Sequence, residues 1–150
     1  MFKYIILTFI SFSLYAEPTQ ENKVYKEFFK NGDIKYEVTY FNGDKNGKEI
    51  FWHENGLKKM QSNFLDGVEN GLWQQWHDNG QLKLEVNYLN GKENGLWQQW
   101  HDNGQLKLKV KFENGIKIGE EFYWNSDGTV RYKDFYINGK IKKIKGTLND

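Results

Sequence analysis

The sequence predicts an all-β fold: five tandem β-hairpin repeats of about 24 residues, laid out as an elongated single-layer antiparallel meander. Three observations predict it. The string ENGLWQQWHDNGQLKL stands at Glu69–Leu84 and again, letter for letter, at Glu93–Leu108, 24 positions on. Asx-Gly pairs recur in two columns with the same period, and such pairs between alternating apolar runs are the strongest short-range hairpin signal. Aromatic residues make up 17% of the chain, beside fifteen Gly and a single Pro, a composition that favours strands and turns over helices.

The chain opens differently from the way it continues. Met1–Ala16 reads MFKYIILTFISFSLYA, with a basic start at Lys3 and an apolar run from Tyr4. That run is shorter than the roughly 20 residues a spanning helix needs, so residues 1–16 are expected to be a cleavable signal peptide with the cut near Ala16. The expected localisation is therefore exported: periplasmic, cell-surface or secreted. Residues 17–22 are expected to be a linker. Loss of Lys3 from 21 bases against 20 acids leaves a mature chain with no formal charge. Neutrality offers no electrostatic basis for binding nucleic acid. The absence of cysteine excludes disulfides, thiol catalysis and Cys-based zinc sites.

From Lys23 the rows align as 23–46, 47–70, 71–94, 95–118 and 119–142, with 143–150 as a cap or tail. Gly47, Gly71, Gly95 and Gly119 open four of them. One turn column holds Asn31-Gly32, Asn55-Gly56, Asn79-Gly80, Asn103-Gly104 and Asp127-Gly128. The other holds Asn42-Gly43, Asp66-Gly67, Asn90-Gly91, Asn114-Gly115 and Asn138-Gly139. About ten up-and-down strands follow, and Ile141–Leu148 could add a closing one.

His77-Asp78-Asn79-Gly80 suits a type I turn followed by Gly in the left-handed region, a three-residue loop that pairs His77 with Gln81. Side-chain parity then sets Trp76 opposite Leu82 and Gln74 opposite Leu84. It places Leu72, Trp76, Leu82, Leu84, Val86 and Tyr88 on one face, the expected core. The second turn, after Leu89, has no assignable type from sequence. The opposite face is expected to hold Trp73 and Trp97, with Phe51, Gln75, Gln99 and Tyr123. Exposed large rings among polar groups are what an interaction surface looks like, so these six are the candidate partner-binding residues.

Enzyme chemistry finds no support in the sequence. His53, His77 and His101 share a column, but successive repeats set them about 9.5 Å apart, too far to share one zinc ion. They fall at the first turn position and are read as turn structure. No calcium-loop acid triad, P-loop, nucleophile elbow or HExxH motif occurs. No cofactor, metal or catalytic residue is expected.

The unit G-x-W-x-x-W-x-x-N-G-x-L-x-x-x-x-x-Y-x-N-G-K-x-x-G resembles the MORN-repeat variant found in YwqK-family toxin–antitoxin antitoxins. Gly71–Asn94 and Gly95–Ile118 carry it most fully, and Gly47–Asn70 carries it well. The resemblance implies stacked β-hairpins in an elongated sheet and a non-enzymatic binding scaffold. Its partners would be a protein first, or membrane lipid. An antitoxin or immunity role against a toxin is the alternative implied by the family. The hairpins are also similar to the aromatic glucan- and choline-binding repeats of cell-wall proteins, which implies cell-wall glycan as another ligand class.

Overall fold

The computed structural model describes residues 21–142. The expected signal peptide, most of the linker, the 143–150 tail and most of Ile141–Leu148 lie outside the described residues. Within them the chain forms twelve strands and no helix: β1 (Asn22–Phe28), β2 (Ile34–Phe41), β3 (Asp44–Trp52), β4 (Lys58–Leu65), β5 (Val68–Glu69), β6 (Gly71–Trp76), β7 (Leu82–Leu89), β8 (Lys92–Trp100), β9 (Leu106–Glu113), β10 (Ile116–Trp124), β11 (Val130–Ile137) and β12 (Lys140–Ile141). All pair antiparallel in one open sheet that follows chain order. β5 and β6 both lie beside β4 and are one outgoing strand interrupted at Asn70. The expected ten-strand meander is thus present, with one strand split and the short β12 added.

The first turn has the expected geometry. In repeat three the His77 N–H donates to the Gln81 carbonyl (2.8 Å) and the Gly80 N–H to the His77 carbonyl (2.9 Å). Gly80 alone in this loop has positive φ, at 83°. The second turn is a two-residue type I′ loop: Leu89 pairs with Lys92 across Asn90 (φ 50°) and Gly91 (φ 74°). Asn and Asp tolerate this left-handed conformation better than other non-glycine residues, which explains the Asx-Gly column.

Two irregularities recur in the four hairpins from β3 onward, and one of them corrects the expected faces. Gly71 lies inside the outgoing strand at φ 105°, and ladder breaks surround its counterparts, as between Val86 and Tyr88 opposite Gly95. Nearer the first turn, Trp76 pairs with Leu82 as expected, but Gln75, not Gln74, pairs with Leu84. Lys83 is the extra residue of a β-bulge, which shifts the register by one. Beyond the bulge Trp73 pairs with Val86, while Leu72 pairs with Asn87. Strand alternation therefore puts Trp73, Gln75, Leu84, Val86 and Tyr88 on one face, and Leu72, Gln74 and Trp76 on the other.

The buried side is the Trp73 side. Val38, Val86 and Val110 are each 1% exposed, and Leu84 and Leu108 are buried. A single layer has no second sheet to cover them, so neighbours on the same face must do it. Val86 sits between Trp73 and Trp97 on the flanking strands, and the rings close over the small β-branched side chain. Repeats are also fastened at both ends. The imidazoles of His53, His77 and His101 hydrogen-bond the carbonyls of Trp76, Trp100 and Trp124 at 3.4, 3.2 and 3.0 Å. Asn55, Asn79 and Asn103 donate to the carbonyls of Asp78, Asp102 and Ser126. At the opposite end Gly67, Gly91, Gly115 and Gly139 N–H groups reach back to the carbonyls of Lys45, Glu69, Glu93 and Lys117. The histidines are thus inter-repeat rungs as well as turn residues.

Candidate binding face

All six candidate residues fall on one face, in two neighbouring cross-strand rows. Phe51, Gln75, Gln99 and Tyr123 occupy the first. Phe51 pairs with Met60, Met60 with Gln75, Gln75 with Leu84, Leu84 with Gln99, Gln99 with Leu108, and Leu108 with Tyr123. Trp73 and Trp97 occupy the second, on either side of Val86. The six are half-buried, and they share the face of the valine core. The expectation that they lie opposite the core is therefore corrected, and the bulge at Lys83 is the cause. Trp73 and Trp97 flank the buried Val86 and remain partly open to solvent. Trp76, expected in the core, lies on the other face with its repeat equivalents Trp52, Trp100 and Trp124, where Trp124 stacks on Phe122 at 5.5 Å.

The rows end in aromatic pairs. Tyr36 and Phe51 have ring centroids 4.5 Å apart, and Tyr123 and Tyr132 stack at 4.1 Å. Trp97 lies 5.7 Å from Phe112, beside a shallow depression that Gln99, Glu93, Lys117 and Glu121 also line. Gln75 and Gln99 further border depressions at the first-turn end, with His77, Lys83, His101 and Lys107.

The sequence reading passed over two buried carboxylates here. Glu49 is 7% exposed and Glu121 1% exposed. Glu49 accepts from the Tyr36 hydroxyl (2.7 Å), the Lys45 ammonium (2.5 Å) and the Ser62 hydroxyl (3.2 Å). Glu121 accepts from the Lys117 ammonium at 2.6 Å. Burial pushes the Glu49 carboxyl up, but Lys45, Tyr36 and Ser62 together outweigh it and hold it below the usual carboxylate range. Burial, then hydrogen bonding and charge from Glu49, push the Tyr36 hydroxyl far up. Burial and the neighbouring Tyr132 and Glu121 do the same to Tyr123. Their columns are visible in the sequence as Glu49/Trp73/Trp97/Glu121 and Lys45/Glu69/Glu93/Lys117. Reading the polar columns as closely as the apolar ones finds them.

Among the described residues no group of three or more His, Cys, Asp or Glu side chains is placed to hold a metal ion. The face offers aromatic surface, amide groups and charge, which is the equipment of recognition.

Three segments, residues 21–42, 69–90 and 93–115, match the family model described as MORN repeat variant. No curated protein matches the chain. Repeats of this type suggest a scaffold, often one that binds proteins or membranes. The two unmatched hairpins, β3–β4 and β10–β11, repeat the same turns and pairing.

Proposed function

We propose that the chain is an exported, non-enzymatic repeat scaffold that binds a protein partner along the face carrying Trp73 and Trp97. One observation carries the reading. The six side chains form a continuous polar-aromatic band across the middle strands, each still partly open to solvent, with rings of the kind that dominate interface energetics. The signal-like start of the sequence supports export.

The test is capture from the native envelope fraction, using the wild-type chain and a Gln75→Arg, Gln99→Arg variant as baits. Both glutamines sit beside Leu84 on the band. A partner retained by wild type and lost by the variant, with the melting temperature unchanged, supports the reading. Equal capture by both baits refutes it. Retention of a toxin encoded beside the chain would select the antitoxin alternative, and retention of peptidoglycan or liposomes the glycan or lipid one.

A further inference from the structure

The charged columns on this face are nearly symmetric about β7. In the outer repeats a lysine and a glutamate four residues on form a closed unit. Lys45 bonds Glu49 and lies 4.8 Å from the centre of the Phe64 ring. Lys117 bonds Glu121 and lies 6.0 Å from Phe112 and 5.1 Å from Tyr136. Each unit holds an ammonium on aromatic faces with a carboxylate behind it, the arrangement that attracts cations most strongly.

The two central repeats invert this unit. Where the outer ones have Lys45 and Lys117, they have Glu69 and Glu93. Where the outer ones have Glu49 and Glu121, they have Trp73 and Trp97. Tyr88 stands between them: Gly71 and Glu93 are its cross-strand partners, and Glu69 lies one repeat back in the row of Glu93. Phe64, Phe112 and Tyr136 each carry a lysine, and no cation of the described residues lies on Tyr88. Glu69 and Glu93 likewise make no ion pair among the described residues. Burial and the like charges of Glu49 and Glu93 raise the Glu69 carboxyl against the opposing charge of Lys45, and Glu69 and Glu93 push the Tyr88 hydroxyl up after burial does. At Glu69 burial and like charge thus outweigh the nearest lysine, and Tyr88 stands beside two carboxylates.

We infer that the centre of this face, built from Tyr88, Glu69, Glu93, Trp73 and Trp97, is a receptor site for a cationic side chain, lysine or arginine, of a partner polypeptide. The lysines on Phe64, Phe112 and Tyr136 show the same chemistry filled from within the chain, and at Tyr88 the cation is left to the partner. An arginine suits it better, because a planar guanidinium can stack on Tyr88 or an indole while bonding carboxylates on both sides. The inference rests on the proposed function, since it names the group that the partner presents to the band.

The probe is a blocked tripeptide, acetyl-Gly-Arg-Gly-amide, titrated into the full chain with tryptophan fluorescence as readout and the citrulline peptide as neutral control. The arginine peptide is expected to saturate the signal and the citrulline peptide to bind about tenfold more weakly or not at all. Glu69→Gln with Glu93→Gln is expected to remove that preference. Glu93→Lys with Trp97→Glu rebuilds an outer-type unit in the centre and is expected to stay folded and block the site. No saturable change in wild type, or equal affinity in either variant with native circular dichroism, overturns the inference. Envelope capture separates the two readings. A partner that is lost with Gln75→Arg, Gln99→Arg but indifferent to Glu69→Gln, Glu93→Gln leaves the binding scaffold standing and refutes the cation site.

Discussion

Replacing Trp73 and Trp97 together by alanine is the perturbation that separates a covering role from a purely exposed one. The side chain between them, Val86, is 1% exposed, and no second layer shields it. Trp→Ala in a closed core costs about 3–5 kcal/mol. These rings are half-buried, so roughly 2 kcal/mol each is the expected loss. Simple addition puts the pair at about 4 kcal/mol, and the shared Val86 will move the measured value off that sum by the coupling between the two rings. For a domain of this size that lowers Tm by roughly 10–15 °C. Thermal unfolding followed by far-ultraviolet circular dichroism reads it. Leu72→Ala with Leu96→Ala is the control, because both leucines lie on the opposite face at 38% and 45% exposure, and about 1 kcal/mol or less is expected. A tryptophan variant that melts within about 2 °C of wild type would refute the register argument, since Trp73 would then not be covering Val86.

Further outcomes follow from the same geometry. His77→Ala removes the rung to the Trp100 carbonyl and should cost about 0.5–1.5 kcal/mol, read as a shift in urea midpoint. Asn90→Val places a β-branched residue at φ 50° and should cost about 1–2 kcal/mol, whereas Asn90→Gly should be near neutral by the same assay. Glu49 titrates below its unfolded value of 4.5, so its contribution is present above pH 4.5 and lost as pH falls through the folded pKa. Acid unfolding of Glu49→Gln should accordingly be less steep than that of wild type. Tyr36, Tyr123 and Tyr136 are raised from 10.0, Tyr136 to about 12, so their contribution is present below pH 10 and lost as pH rises above it. Tyr36→Phe with Tyr123→Phe should flatten that alkaline limb.

The architecture was legible because the repeat writes each structural requirement several times. Asx-Gly columns announce both turns, and the His77–Gly80 loop follows from turn chemistry alone. The faces were not legible, for one physical reason. A period-of-two argument carries every side chain from the turn outward, and the extra residue at Lys83 reverses the assignment beyond it. Nothing in the composition of QLKLEV marks Lys83 as the bulge. The structure therefore preserved the grouping of Trp73, Trp97, Phe51, Gln75, Gln99 and Tyr123 while moving it onto the core face. The buried Glu49 and Glu121 stayed hidden because a glutamate in a polar repeat reads as a surface residue until Lys45 and Lys117 are seen to cover them.

The first and last described repeats differ from the middle ones at the His and Asn rung positions. Phe29 takes the histidine position of the first repeat, and Asn31 bonds Asp33 within its own turn instead of reaching the next. In the last repeat Asn125 and Asp127 both bond Thr129. With no His or Asn rung holding it, the β1–β2 hairpin should exchange its amide protons faster than β7–β8.

The proposed function stands or falls on whether the band through Trp73, Trp97 and the Gln75–Gln99 row receives a partner. The most direct measurement is capture from the envelope fraction by wild type against Gln75→Arg, Gln99→Arg at matched stability. A partner held by wild type and released by the variant is the expected result. Identical capture by the two, or none by wild type, contradicts it.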